Sequence, residues 1–258
     1  MSYTNSYKPS PPPSTLTGDE AYGPDPYDIN FVFDLHFPSL ETERVKVVPF
    51  VPRLHMEDYW AQVSTSPDLL RYYPFLWDTK PNFLTFIEHF IRRDPANVLL
   101  AIIDKTKPNP AHGGSLAGTI GFWSSSFPEF QRTHVATNAV GVLMRHCLDL
   151  PTANPPGLGL RRVEWKAHAK NLGSARLAER MGFRREGMMR WHWAVDPALA
   201  KDGDKPREGD KFPDRYGRGT VILATCWDDW ENGVRDVVKK NVDRQVPDTK
   251  DSDGTNTR

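Results

Sequence analysis

The sequence is short of cysteine, of net charge and of long apolar runs. There are two cysteines in 258 residues. Cys147 and Cys226 fall far apart, in a predicted helix and a predicted strand, which points to buried free thiols rather than a disulfide. No metal site is expected. Lys plus Arg and Asp plus Glu each number 33, so the formal charge is zero. That balance gives no general electrostatic affinity for nucleic acid or for an anionic membrane. No apolar run approaches the ~20 residues needed to span a bilayer. The opening MSYTNSYKPSPPPS has no signal-peptide core, so a soluble, cytoplasmic protein is the expectation. No internal repeat is present.

What the chain does have is a set of periodic segments between two polar ends, enough for one sizeable domain. Residues 1–28 are rich in Pro, Ser and Gly and cannot bury enough apolar surface to fold, so they are expected to form a disordered tail. Residues 29–244 are expected to form the domain, and 245–258 a second disordered tail. Phe31, Phe33, Leu35 and Phe37 alternate with other residues, which suits a strand or a clamp onto the core. Residues 44–51 read as a strand, placed at an edge by Pro49 and Pro52. A helix follows over 55–64. The stretch 69–77 is aromatic, with Tyr72, Tyr73, Phe75 and Trp77. A second helix spans 82–93, with Phe83, Phe86, Ile87 and Phe90 on one face. Strands at 98–103 and 116–123 flank a turn at 105–114 and form a hairpin. A strand at 220–227 and a charged helix at 228–244 close the domain.

Two helices with a strand between them organise the middle of the chain. QRTHVA, residues 131–136, leads into a helix over 133–149. Val135, Ala139, Val142, Leu143 and Leu150 recur near helical spacing, and Thr133 is placed to cap it. N–H groups at a helix start lack intrahelical partners and, with the helix dipole, favour an anion. Ala136 is small enough for a ligand to approach. An ordinary capped helix behind a polar loop has the same features. Residues 160–169 alternate Arg162, Glu164, Lys166 and His168 against Val163, Trp165, Ala167 and Ala169, giving a strand with one polar face. It is expected to pair with the strand at 183–195. Between those two strands, 171–181 is helical, with Leu172, Ala175 and Ala178 on one side and Gly182 closing it.

Asn171 to Phe183 spells N-x-x-S-x-x-x-x-E-x-h-G-F, with h apolar. Following the QRTHVA loop, it resembles the GNAT superfamily of acyl-CoA N-acyltransferases, and within it the RimJ/RimL branch. The superfamily's loop pattern is (Gln or Arg)-x-x-Gly-x-(Gly or Ala). Gln131 and Ala136 match it, and His134 replaces the central Gly. The resemblance covers residues 45–227. It implies an α+β fold, a mixed sheet splayed at its middle with helices on both faces. It also implies acetyl-CoA as cosubstrate, and an amine acceptor (a protein N-terminus or small amine) that attacks the thioester directly. Gln131, Arg132, Thr133, His134, Val135 and Ala136 would hold the pyrophosphate, and Asn171 and Ser174 the pantetheine arm. The family has a further strand before the loop. Here only SSSFPEF, residues 124–130, intervenes, interrupted by Pro128. One central strand is therefore expected to be shortened or missing, leaving fewer backbone donors along the pantetheine channel.

Direct attack needs a base for the ammonium, donors for the oxyanion and an acid for the leaving thiolate. Glu164 and His168 are candidates for the base, directly or through water. The resemblance places the Ser174 hydroxyl near the thiolate. Plainer readings stand beside these: a surface ion pair of Glu164 with Arg162 or Lys166, a structural histidine, a solvent-facing serine, and a helix cap for Asn171. Cys147 has only His146 nearby to activate it. A second function is open: a GNAT-like fold that has lost catalysis and serves in binding, which His134 and the short 124–130 segment favour.

Overall fold

The computed structural model describes residues 3–75, 77–121, 124–199 and 203–244. Its strands form two sheets, and every ladder among the described residues is antiparallel. The first sheet runs in the order β1 (Val45–Pro49), β2 (Leu99–Asp104), β3 (Ser115–Gly121), β4 (Ser125–Ser126). β1 is at an edge, as its prolines require. β2 is buried along its whole length, which matches its nearly unbroken apolar sequence and means that both faces are covered. α1 (Pro52–Thr65) packs on β3, and α3 (His134–Leu148) on β1 and β2. α2 (Lys80–Phe86) starts from a Thr79 cap that accepts from the Asn82 N–H, and runs on into a wider turn, Ile87–Arg92.

β4 is the expected central strand cut to two residues. It pairs Ser126 with Gly118 and Ser125 with Thr119. A Cβ at Gly118, where φ is 149°, would collide with the Ser125 carbonyl, so glycine is what lets β4 pair at all. The strand expected over 116–123 is described from Ser115 to Gly121; residues 122 and 123 lie outside the described residues.

The second sheet runs in the order β5 (Arg162–His168), β7 (Tyr216–Cys226), β6 (Arg184–Val195). β5 therefore pairs with β7, placing Arg162 opposite Cys226 and His168 opposite Thr220. It does not pair with β6, as the sequence order suggested. The cause lies in composition. Every residue of β7 is buried or half-buried, whereas β6 is exposed along almost its whole length and suits an edge. α4 (Leu172–Arg180) covers the face of this sheet that carries Val163, Trp165, Ala167, Val221 and Leu223. The opposite face carries the polar residues of β5. The expected splay is complete: no ladder joins the two sheets among the described residues.

α3 bridges them. Val135, Ala139 and Val142 enter the first core, and Val140, Met144 and Leu148 the second. Ile120 of β3 packs against both. The closing helix is broken into α5 (Trp227–Asp229), a turn at Trp230–Val234, and α6 (Arg235–Asp243), with Gly233 at φ 119°. The fully buried Trp230 donates its Nε1–H to Asp149 Oδ1 at 2.9 Å, and Arg235 Nε reaches the same oxygen at 3.1 Å. That oxygen pins the chain's end to the end of α3.

Part of the Pro/Ser-rich segment packs on the domain. Gly18–Tyr22 forms a short 3-10 turn with Ala21 buried, Leu16 donates its N–H to Thr85 Oγ1 at 2.8 Å, and Arg53 pairs with Asp19 at 2.6 Å. Leu16, Ala21 and Tyr22 supply the apolar contacts that hold it. Residues 31–37 act as a clamp rather than a strand, through Leu35 and Phe37. The tail expected at 245–258 lies outside the described residues.

Candidate active site

The loop before α3 is built by its own side chains. Thr133 Oγ1 accepts from the Val135 N–H at 3.3 Å and donates to the Phe130 carbonyl at 2.7 Å. Arg132 lies at φ 64°, an uncommon left-handed position that turns the chain into the helix. Gln131 Nε2 donates to the Ser126 carbonyl at 3.0 Å, bracing the short β4. Val135 is buried in the core and Ala136 is half-buried. Among the described residues, no protein acceptor meets the N–H groups of Thr133, His134 and Ala136. The Arg132 side chain is exposed. These groups sit where the helix dipole favours an anion.

His134 turns away from this point. Its Nε2 lies 3.2 Å from Asp104 Oδ1, and its side chain is only 13% exposed. The same Asp104 oxygen accepts from the Thr106 N–H and Oγ1. The side chain that replaces the family's glycine is thus spent on β2.

The start of α4 shows the cap reading of Asn171. Asn171 Oδ1 accepts from the Ser174 N–H at 3.1 Å, which makes Asn171 the N-cap. Its Nδ2 donor is not used in that cap. Ser174 Oγ accepts from Trp165 Nε1 at 2.9 Å, leaving the serine's own O–H to donate elsewhere. Ala175, Ala178 and Met181 anchor the helix to the second core.

Side chains alternate along β5, so Glu164 faces away from Ser174 and the structure does not bring them together. Glu164 is bound by Lys166 at 2.8 Å and Arg162 at 2.9 Å, and Arg162 also takes Glu186 at 2.7 Å. Lys166 and then Arg162 hold its carboxyl below the usual range. A carboxylate held low by two cations is a poor proton acceptor. His168 ends β5, with its ring 5.4 Å from that of Tyr72. Its Nδ1 accepts from the Lys170 N–H at 2.9 Å, so when the ring is neutral its proton is on Nε2.

A polar group at the same end of the sheet was not visible in the sequence. Arg218 donates to the Tyr72 carbonyl, from Nη2 at 2.8 Å and Nε at 3.3 Å, and from Nη1 to Thr220 Oγ1 at 2.8 Å. His192 Nδ1 lies 3.0 Å from the same Thr220 hydroxyl. Tyr73 hydrogen-bonds the Ser124 carbonyl next to β4, and burial pushes its phenol upward. Burial, then Arg218 and Lys166, lower the pKa of His192, which disfavours its charged form. Three separated segments converge here, and only the aromatic run at 69–77 carried a signal.

Cys147 is a free, half-buried thiol whose pKa burial pushes up to about 11, which removes it as a nucleophile at neutral pH. Cys226, Asp228 and Asp229 bring ligand atoms within 4.8 Å of one another. Asp229 is already ion-paired with Arg184 at 2.7 Å.

A family model described as acetyltransferase (GNAT) domain matches residues 44–184. The fold is similar to several solved structures. One is a GCN5-related N-acetyltransferase from Brucella melitensis, with 23% identity, TM-score 0.57, and 78% of this chain and 83% of that one covered. Another is the Salmonella typhimurium acetyl transferase that modifies the N-terminal serine of ribosomal protein L7/L12, with 13% identity, TM-score 0.52, and coverage of 74% and 98%. A third is Mycobacterium smegmatis RimJ in complex with CoA-disulfide, with 16% identity, TM-score 0.52, and coverage of 76% and 88%. No curated protein matches the sequence.

Proposed function

The chain belongs to the GNAT acetyltransferase family, and from that premise we propose that it moves an acetyl group from acetyl-CoA to the primary amine of a peptide N-terminus or small molecule, in the manner of the RimJ/RimL branch. The observation that carries this is that two helix starts follow two edge strands. α3 opens after β4, across the turn Pro128–Phe130, and α4 opens a short turn after β5. The coenzyme fits the residues present: unmet N–H groups at Thr133, His134 and Ala136 suit a pyrophosphate, and exposed Arg132 supplies a counter-charge. The Asn171 amide suits the pantetheine arm.

When bound, acetyl-CoA supplies the acetyl group as a thioester. The amine nitrogen forms a bond to the acetyl carbon, the carbon–sulfur bond breaks, and the thiolate leaves with a proton. His192 is our candidate for taking the proton from the ammonium, directly or through water. His168 Nε2–H is our candidate donor to the developing oxyanion. Ser174 lies on the other face of β5, where its Oγ accepts from Trp165 Nε1, and is our candidate donor to the thiolate across the open edge of that strand. Glu164 holds the open sheet face as part of an ion-pair network instead. With His134 turned to Asp104, one of the two sequence arguments for a binding-only protein falls away, and the other, the short 124–130 segment, stands as the two-residue β4.

Calorimetric titration with acetyl-CoA tests this. Saturable one-to-one binding at micromolar concentration is expected. No binding at millimolar coenzyme would remove the function.

A further inference from the structure

The polar group around Arg218 says something about the acceptor. Arg218 is 8% exposed. Three of its five N–H donors are used, all on neutral oxygens: two on the Tyr72 carbonyl and one on the Thr220 hydroxyl. No carboxylate pairs with it among the described residues. The acids of this sheet face are committed elsewhere, Glu164 to Arg162 and Lys166, and Glu186 to Arg162. A guanidinium buried without a counter-charge is costly, and hydrogen bonds to neutral acceptors do not cancel the charge. Burial accordingly lowers its pKa to about 10.

The position matters as much as the charge. Thr220 lies opposite His168 in the ladder, so Arg218 and Thr220 share the face and end of the sheet with the proposed oxyanion donor. Tyr73 links the same point to Ser124 beside β4. Arg218 therefore stands at the seam between the two sheets, where an acceptor meets the thioester.

We infer that Arg218 is the carboxylate-binding residue of the acceptor site, and that the preferred substrate is an amine bearing a carboxylate close to the attacking nitrogen. This rests on the acetyl-transfer function proposed above and narrows it. Two sources share the chemistry: the α-carboxylate of a free amino acid, and an acidic side chain at a peptide N-terminus. The two remaining Arg218 donors suit the paired oxygens of either.

The test reads binding, so it does not depend on turnover. N-acetylalanine, N-acetylalaninamide and N-acetyl-aspartyl-alaninamide are titrated into the full chain by protein-observed NMR, with and without CoA. At least one of the two carboxylated probes should bind about tenfold or more tightly than the uncharged amide, which corresponds to one charge-assisted contact. Preference for the first probe identifies a free amino acid; preference for the third identifies an acidic peptide end. Arg218→Gln should bring the ratio close to one, and Arg218→Lys should keep part of it. Equal binding of all three probes, no binding of any, or a preference that survives in Arg218→Gln would overturn the inference. If the Gln variant does not fold, the wild-type ratio and the Lys variant decide. Acetyl-CoA titration reads the broader function separately: coenzyme binding and turnover of uncharged amines without carboxylate preference would leave it standing while this inference fails.

Discussion

His134 Nε2 stands 3.2 Å from Asp104 Oδ1, tying the first turn of α3 to the last residue of β2. The side chain that departs from the family's loop pattern braces β2, and in the proposed binding mode it leaves the coenzyme's path open. His134→Gly should leave coenzyme affinity within about threefold. It should lower stability by about 1–2 kcal/mol, from the lost contact and the helix-weakening glycine. Calorimetry and urea unfolding on the same protein separate the two effects. A tenfold gain in affinity would mean that the ring does crowd the ligand.

Ala136 is the residue whose enlargement should harm binding and spare the fold. It is half-buried in the first turn of α3, where an acidic residue favours the helix dipole. Ala136→Glu adds bulk and negative charge at the proposed pyrophosphate position. A loss of at least about a hundredfold in acetyl-CoA affinity is expected, equal to ~3 kcal/mol. Thermal unfolding should be unchanged or slightly higher. Unchanged binding would place the coenzyme elsewhere.

Ser174 would join the proposed catalysis to packing, because its Oγ accepts the Trp165 Nε1–H. Ser174→Ala should reduce kcat by about 10²-fold if the hydroxyl protonates the thiolate, with coenzyme affinity nearly unchanged. It should also cost about 1 kcal/mol of stability, since the indole N–H loses its partner. Steady-state kinetics showing an unchanged kcat would reduce Ser174 to a packing residue.

The elements that position the site were legible because each is set by local periodicity. Val135, Ala139 and Val142 marked α3; the alternation about Trp165 marked β5; Asn171 and Gly182 marked the ends of α4. Pairing was harder. The order β5–β7–β6 depends on how strands distant in sequence share burial, and β6 and β7 are both strand-like when read alone. The roles of single residues were hardest. Glu164 reads as a base or as an ion-pair partner in the sequence, and only the distances of 2.8 and 2.9 Å to Lys166 and Arg162 show the pair. Arg218, His192 and Tyr72 come from segments separated by as many as 146 residues, and no motif joins them.

His55 sets a pH limit on the fold. It is buried in α1, its Nδ1 accepts the Val51 N–H at 2.9 Å, and burial, then His112, lowers its pKa from 6.5 to about 4. The unfolded chain therefore binds a proton near pH 6.5 that the folded chain refuses until about pH 4. Its contribution is fully present above pH 6.5 and is lost as pH falls toward 4, on the order of 3 kcal/mol at most. Urea midpoints across that range should fall, and His55→Gln should flatten the slope. An equal slope in the variant would assign the effect to other groups.

Acetyl-CoA-dependent labelling of a mixed panel of amines and peptides, followed by intact-mass analysis of the protein, tests the central claim most directly. The account predicts the label on a primary amine at a rate that depends on Ser174, with no acetyl group retained on the protein. Coenzyme binding without acetylation of any amine, or a covalent acetyl-protein formed on the way to product, would contradict it.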